Sequence, residues 1–418
     1  MSESTYDLII VGGGPAGAGA ALYAHRQGLR ALILERATFP RDKSCGDSIS
    51  GKSLAILHEL ELLQEVTDLP GTVVRRVLLG SPDGSDAVFD LDGETYSDPL
   101  TDSCTPAGGL MIQRLTFDAL LFERAREVSA GCVENVAVRD LMVERGIVKG
   151  VLGQEEGTDG PLREFRAPLV LGCDGAHSTV AHRAGVRSLD ARHTSVARRA
   201  YYEGLECEPG VNEVYFTKQS MPGYLWIFPL GDGRANVGAG MLHSALRQRE
   251  HGLEECLRFA VEEGPLSPRF AGARPIGRAA ASVLPMGSRR RPCSAPGVLL
   301  LGDAAGLIDP FSGEGIGNAL YSARLAVDMA VEARDAGDYS GPFLEEYSNR
   351  LWGALGPELK ISAHLQWAAG RWPTFLNRVV RKAARRQDFA RLLTNAYTNV
   401  APRSQLVDPL LYLKALWK

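Results

Sequence analysis

Residues Tyr6 to Arg36, YDLIIVGGGPAGAGAALYAHRQGLRALILER, read as a strand, a glycine turn, a helix and a second strand. Asp7 to Val11 is a short apolar run of the kind buried on both faces of a parallel sheet. Gly12, Gly14 and Gly17 follow in G-x-G-x-x-G spacing. In such a turn the first glycine permits the bend and the second lets backbone amides approach a pyrophosphate. The third lets helix and sheet pack closely. Small residues continue through Ala18, Gly19, Ala20 and Ala21, so the helix can lie near both ligand and sheet. Its N-terminus offers free N–H groups and a positive dipole end to phosphate. The second strand, Ala31 to Leu34, ends at Glu35, whose carboxylate can bind ribose hydroxyls. Together these features predict a dinucleotide site on a doubly wound α/β unit rather than a bare structural turn.

A chain of 418 residues is long enough for more than one domain or one large composite. Its 45% hydrophobic and 23% charged content is ordinary for a globular protein, and a formal charge of −4 argues against nucleic acid as a partner. No signal peptide is expected before Tyr6, and no run is apolar enough to span a bilayer. Seven scattered cysteines without a C-x-x-C pair argue against a disulfide frame or a cysteine-held cluster, so a cytoplasmic location is the expectation. No metal site is expected, because His177 and His182 have no partners at ligand spacing.

Beyond Arg36, a loop carries Arg41, Lys43, Cys45, Gly46 and Asp47, and Ser53 to Leu63 has helical spacing. From residue types alone that loop reads as a solvated connection with an incidental thiol. Alternation between Gly71 and Cys104 predicts strands of a second sheet. A helix is expected from Arg114, with Leu115, Ala119, Phe122 and Ala125 on its inner face. Arg114 stands where a phosphate or ribose can be met, or is paired to Asp118 at i+4. A buried strand then runs into Asp174–Gly175, followed by a helix capped by Ser178. Ser195 to Ser282 returns to strands, with one helix near Leu253–Glu262. Within it, Tyr224, Trp226 and Phe228 share one face of a hairpin that turns at Gly231-Asp-Gly, a face that pattern alone assigns to core. A third strand-to-glycine segment ends at Gly302–Asp303, passes Pro310 and opens a helix at Gly315 or Gly317. Three such turns in one chain favour one extended ligand. The remainder from Gly341 is helical by spacing. The stretch Asn377–Leu393 sets basic residues around Val379, Val380, Ala383 and Ala384, which suits either an anionic lipid surface or, as favoured here, packing with a solvated basic face.

These segments, in this order, resemble flavoproteins of the p-hydroxybenzoate hydroxylase fold, and within them the geranylgeranyl reductase family. Gly12–Gly17 with Glu35 is similar to the FAD signature, Asp174–Gly175 to the middle DG motif, and Gly302–Asp303 to the GD motif. Phe39-Pro-Arg-Asp-Lys-Ser-Cys-Gly-Asp resembles the reductases' P-x-x-K-x-C-G loop, and Tyr224-Leu-Trp-Ile-Phe-Pro their Y-x-W-x-F-P strand. After Cys45-Gly46-Asp47 the chain departs from the usual turn, with Ser48-Ile-Ser-Gly.

The resemblance implies an α/β composite. A Rossmann-like FAD domain with a parallel sheet (1–70, 105–185 and 285–335) would interleave with an antiparallel-sheet substrate domain (71–104 and 186–284), before a C-terminal helical region (336–418). It implies FAD held by Gly12, Gly14, Pro15, Ala16, Gly17, Glu35 and Arg36, by Cys45, Gly46 and Arg114, and by Asp174, Gly175, Gly302 and Asp303. Pro310, Gly313, Gly315 and Ile316 would complete the set at the ring edge. Cys45, Tyr224 and Trp226 would border the reaction. The implied activity is hydride transfer from reduced flavin to a carbon–carbon double bond of a prenyl lipid, with NAD(P)H, a ferredoxin or another carrier as donor. Peripheral contact with the inner face of the membrane would follow from such a substrate. An FAD-dependent hydroxylase, less readily a halogenase because W-x-W-x-I-P does not stand at Tyr224–Pro229, is the main alternative. A quinone-linked electron-transfer flavoprotein is another.

Overall fold

The computed structural model describes residues 6–97, 104–186, 189–386 and 389–390. Strand Leu8–Val11 pairs in parallel with Ala31–Leu34 on one side and Leu169–Gly172 on the other. Gly131–Val133 and Val298–Leu300 extend this sheet in parallel, and Ser294–Ala295 closes one edge antiparallel. All four residues of each of the three central strands are buried, as continuous apolar runs covered on both faces require. Helix Pro15–Arg26 lies between this sheet and helix Ile316–Ala336. A methyl on Gly19 would stand 3.0 Å from Leu320, so the run of small residues sets how closely the helices approach.

A second, seven-stranded sheet runs in the order Arg274–Pro285, Thr194–Glu203, Arg234–Leu242, Tyr224–Gly231, Val211–Tyr215, Arg76–Gly80 and Asp86–Asp90. It is antiparallel except where Val211–Tyr215 meets Arg76–Gly80. The α/β composite is therefore present, with parallel and antiparallel layers interleaved along the chain. The strands between Gly71 and Cys104 do not all join one sheet. Gly71–Val73 pairs instead with Leu110–Ile112, beside Ser48–Ile49, and Thr95–Ser97 pairs with Cys104–Pro106.

Several local expectations shift. The helix expected over Ser53–Leu63 spans Gly51–Glu59; the chain turns at Glu61, φ +62°, and restarts at Leu63–Thr67. That break lets Leu60, Leu62 and Val66 all reach the core. On helix Arg114–Val128 the inner face is Phe117, Leu121, Phe122 and Ala125, while Leu115 is exposed. The buried Arg114 and Asp118 occupy the inward turn and roll Leu115 out to solvent.

At the C-terminal side, helix Gly341–Arg371 buries Leu344, Tyr347, Leu351, Leu355 and Leu359, and the Tyr347 hydroxyl donates to the Leu300 carbonyl. Helix Pro373–Arg385 lies against strand Asp86–Asp90 with Leu376, Val380 and Ala383 inward. Ala384, expected in the stripe, is exposed. Arg381 reaches Asp83 and Ser85 across that contact. The stripe is thus covered by the protein itself, and residues 391–418 lie outside the described part. No helix among the described residues is long and apolar enough to cross a membrane.

Candidate active site

One cavity of about 1410 Å³ runs between the two main sheets. A single small-molecule pocket holds roughly 300–1,000 Å³, so this space has room for a cofactor and a second ligand. Its walls include Gly12, Gly14, Pro15, Ala16, Glu35, Arg36, Cys45, Gly46, Arg114, Asp174, Gly175 and Asp303. Pro310, Gly313, Gly315, Ile316, Tyr224 and Trp226 line it as well. Gly17 and Gly302 sit behind this wall.

The glycine turn explains its own composition. A Cβ on Gly17 would lie 1.8 Å from the Gly12 carbonyl oxygen, so the third glycine is a packing requirement. A Cβ on Gly14 would meet nothing nearer than Arg41 Nη2 at 3.5 Å, and Gly14 has an ordinary φ of −71°. Its missing side chain leaves room on the cavity side, at the N-terminus of a 12-residue helix. That is the geometry in which backbone N–H groups receive a diphosphate. Glu35 accepts the Gly13 N–H at 2.6 Å and the Ala37 N–H at 2.8 Å. Each carboxylate oxygen keeps a second lone pair with which to take a ribose hydroxyl. These residues fit FAD.

Beyond the turn, the charged side chains around the cavity are paired. Asp118 accepts two bonds from Arg114, at 2.6 and 2.7 Å, and one from Arg41 at 2.5 Å. Burial alone would raise the Asp118 pKa, but the two guanidiniums outweigh it and hold the carboxyl below its usual range. Arg41 also lies over the Phe39 ring, which stacks on Phe122. Lys43 pairs with Asp303 at 3.0 Å, joining the Cys45 loop to the GD segment. Asp174 accepts from the Ser178 hydroxyl and the Val180 N–H, so its carboxylate fixes the start of helix Thr179–Arg183. Burial raises its pKa.

The ring-edge loop is built by Asp309, whose Oδ1 accepts from the Phe311 and Ser312 N–H groups and the Ser312 hydroxyl. Glu314 caps helix Ile316–Ala336 through the Gly317 N–H. The Tyr224 hydroxyl donates to the Ser312 carbonyl at 2.8 Å, tying strand Tyr224–Gly231 to this loop. Trp226 lies over Gly238 of the neighbouring strand, where a Cβ would stand 2.1 Å from the indole. The Cys45–Gly46 turn rests on the same aromatic face, with a Gly46 Cβ position 3.2 Å from Phe228. Burial is the main influence on the Cys45 thiol and pushes its pKa up, against the nearby Arg114. Tyr224, Trp226 and Phe228 all line the cavity, so the aromatic face is cavity wall rather than plain core, with Tyr224 and Phe228 also packed against core clusters. Farther out the wall becomes apolar, with Phe216, Phe311, Leu376, Val379, Val380 and Phe389.

Sequence reasoning gave Arg41 and Lys43 no partner, and did not single out Tyr201, Asn236 or Asp309. Except for Asp309, which bonds Phe311 and Ser312 within its own loop, their partners lie far away in the chain, at separations of 77 for Arg41 and 260 for Lys43, which no local pattern encodes.

Comparison with known proteins agrees with this geometry. The FAD binding domain model matches residues 5–349. The chain is 33% identical to digeranylgeranylglycerophospholipid reductase 1 of Methanopyrus kandleri, over 82% of this chain and 85% of that protein. It is 31% identical to digeranylgeranylglycerophospholipid reductase 2 of Methanothermobacter thermautotrophicus, over 85% and 86%. Among solved structures it is similar to a geranylgeranyl bacteriochlorophyll reductase-like protein from Thermoplasma acidophilum, with a TM-score of 0.81, 23% identity and coverage of 94% and 96%. A triple mutant of a flavin-dependent brominase shares the fold at a TM-score of 0.75, 20% identity and 98% coverage of both chains.

Proposed function

The chain belongs to the geranylgeranyl reductase family of FAD-binding proteins, and on that premise we propose that it reduces carbon–carbon double bonds in the prenyl chain of a lipid. It is an FAD-dependent oxidoreductase. The observation that carries the substrate reading is the continuity of one cavity from the Gly14 turn, past Cys45 and Trp226, to walls of Phe216, Phe311, Leu376 and Val380.

The chemistry supplied by reduced FAD, when bound, is hydride delivery to one alkene carbon. The other carbon must take a proton, so each reduced bond gains two hydrogens. In this proposal Gly12–Gly17 hold the diphosphate, with Gly14 leaving room for it. Glu35 would accept ribose hydroxyls, and Arg114 and Asp303 would hold the polar middle of the cofactor. An isolated alkene is weakly electrophilic, so alignment and exclusion of water are the protein's main contributions, and the apolar walls supply both. Cys45 is the proton source we assign first, because burial keeps its thiol protonated while the Tyr224 hydroxyl already donates to a carbonyl. Tyr224 and Trp226 then shape the slot.

The chain has one dinucleotide fingerprint, which supports electron delivery by transiently bound NAD(P)H, or by a ferredoxin or other carrier. A prenyl lipid resides in a bilayer. The exposed Trp367 and Trp372, in edge contact at 5.0 Å beside the basic helix Pro373–Arg385, support peripheral docking at the inner face of the membrane.

The test is anaerobic. Dithionite-reduced protein mixed with a geranylgeranyl lipid should give products heavier by two hydrogens per bond. A product that forms only with oxygen would replace this reading with a monooxygenase, and reoxidation by quinone alone would replace it with electron transfer.

A further inference from the structure

Behind the cavity wall, a buried polar cluster joins the Cys45 loop to the aromatic strand. Asp47 is fully buried and sits in the left-handed region at φ +65°, a conformation that Asp and Asn adopt more readily than most residues. Its Oδ2 accepts the Tyr201 hydroxyl at 2.7 Å and the Asn236 Nδ2 at 2.8 Å, and its Oδ1 accepts the Arg114 N–H at 3.2 Å. Asn236, also fully buried, donates in addition to the Cys45 carbonyl at 2.8 Å. Its Oδ1 accepts the Trp226 indole N–H at 2.9 Å. An indole nitrogen only donates, whereas a carbonyl and a carboxylate only accept, so the orientation of the Asn236 amide is chemically fixed. One carboxamide thus touches the backbone of Cys45, the ring of Trp226 and the anchor Asp47. Neither Asp47 nor Asn236 lines the cavity, whereas Cys45 and Trp226 both do.

We propose that Asp47 and Asn236 are positioning residues that fix the spacing between the Cys45 thiol and the Trp226 indole, and so the slot in which the alkene is held. This rests on the prenyl-reductase reading for its kinetic consequence. The geometric half stands apart from it, since it concerns only this chain's own loop and strand.

Asp47→Asn keeps the left-handed backbone and nearly the same volume. With its oxygen facing Tyr201 and Asn236, its NH2 would oppose the Arg114 N–H, so the cluster loses an acceptor whichever way the amide turns. Turnover of the geranylgeranyl lipid should fall ~10- to 100-fold, as an ångström-scale misplacement produces, with KM near wild type and the yellow colour retained. In a Cys45→Ala background the same change should cost less, because the share of the loss that passes through the thiol is already gone. Without substrate, iodoacetamide should alkylate Cys45 faster in Asp47→Asn than in wild type, as read by peptide mass mapping. Tyr201→Phe removes a single bond to Asp47 and provides the same two readouts if Asp47→Asn does not fold.

Wild-type kinetics with unchanged alkylation would overturn the proposal. So would an equal loss of turnover in the Cys45→Ala background, or loss of flavin in step with activity. If wild-type protein leaves the prenyl lipid untouched, the substrate reading fails. The alkylation comparison then still decides whether Asp47 holds the thiol in place.

Discussion

At the scale of single residues, the glycines of one turn divide between folding and binding. Gly17→Val places a side chain on the Gly12 carbonyl and should destabilise the fold by at least ~3 kcal/mol, lowering the melting temperature even of apoprotein. Gly14→Val meets no backbone, so the protein should fold with a near-normal melt yet elute colourless. Equal effects of the two changes would remove Gly14 from the binding list. Asp118 supplies a pH signature. Its folded pKa lies below the unfolded value of roughly 3.9, so its contribution is full above that value. As pH falls through the folded value that contribution is lost. Asp118→Asn should flatten the acid limb of the stability curve and, by leaving the buried Arg114 unpaired, cost about 3 kcal/mol at neutral pH. Urea melts followed from neutral pH down to below the unfolded value of roughly 3.9 would check both.

At the scale of elements, the strand Ala31–Leu34, the helix Leu253–Glu262 and the aromatic hairpin were all legible, because period and glycine punctuation are local signals. The inner face of helix Arg114–Val128 was legible only in part: Phe122 and Ala125 are buried as expected, but a buried ion pair displaced Leu115 from the face that hydrophobic spacing assigned to it. The candidate site was legible wherever it consists of backbone bends, as at Gly12–Gly17 and Gly302–Asp303. It was opaque where it consists of side chains meeting across the fold, as with Asp47 and Asn236, 189 residues apart. The hairpin carries its own prediction. Gly238→Ala would drive a methyl into the Trp226 indole, costing about 1–3 kcal/mol and tilting the ring. The change should appear as a shifted tryptophan emission and slower alkene reduction, with flavin retained.

At the scale of the whole molecule, the residue 41–47 loop is fastened to both sheets by side chains. Arg41 bonds Asp118 and Lys43 bonds Asp303 on the side of the parallel sheet. Arg199 bonds Asp42, and Asn236 bonds the Cys45 carbonyl, on the side of the antiparallel sheet. The Lys43 and Asp42 side chains are partly open to solvent, so mobile ions reach those two fastenings. A moderate salt jump should therefore quicken exchange of bound FAD for added FAD, followed by fluorescence of the released coenzyme. Asp303→Asn should mimic the salt effect at low ionic strength.

The Lys43–Asp303 fastening also bears on the order of assembly during synthesis. Its two halves leave the ribosome 260 residues apart, so the nascent glycine turn must wait, with its loop unlatched, until most of the polypeptide has emerged. Coenzyme supplied before that moment would meet half a socket. A newly made chain should accordingly become yellow late and abruptly rather than by degrees.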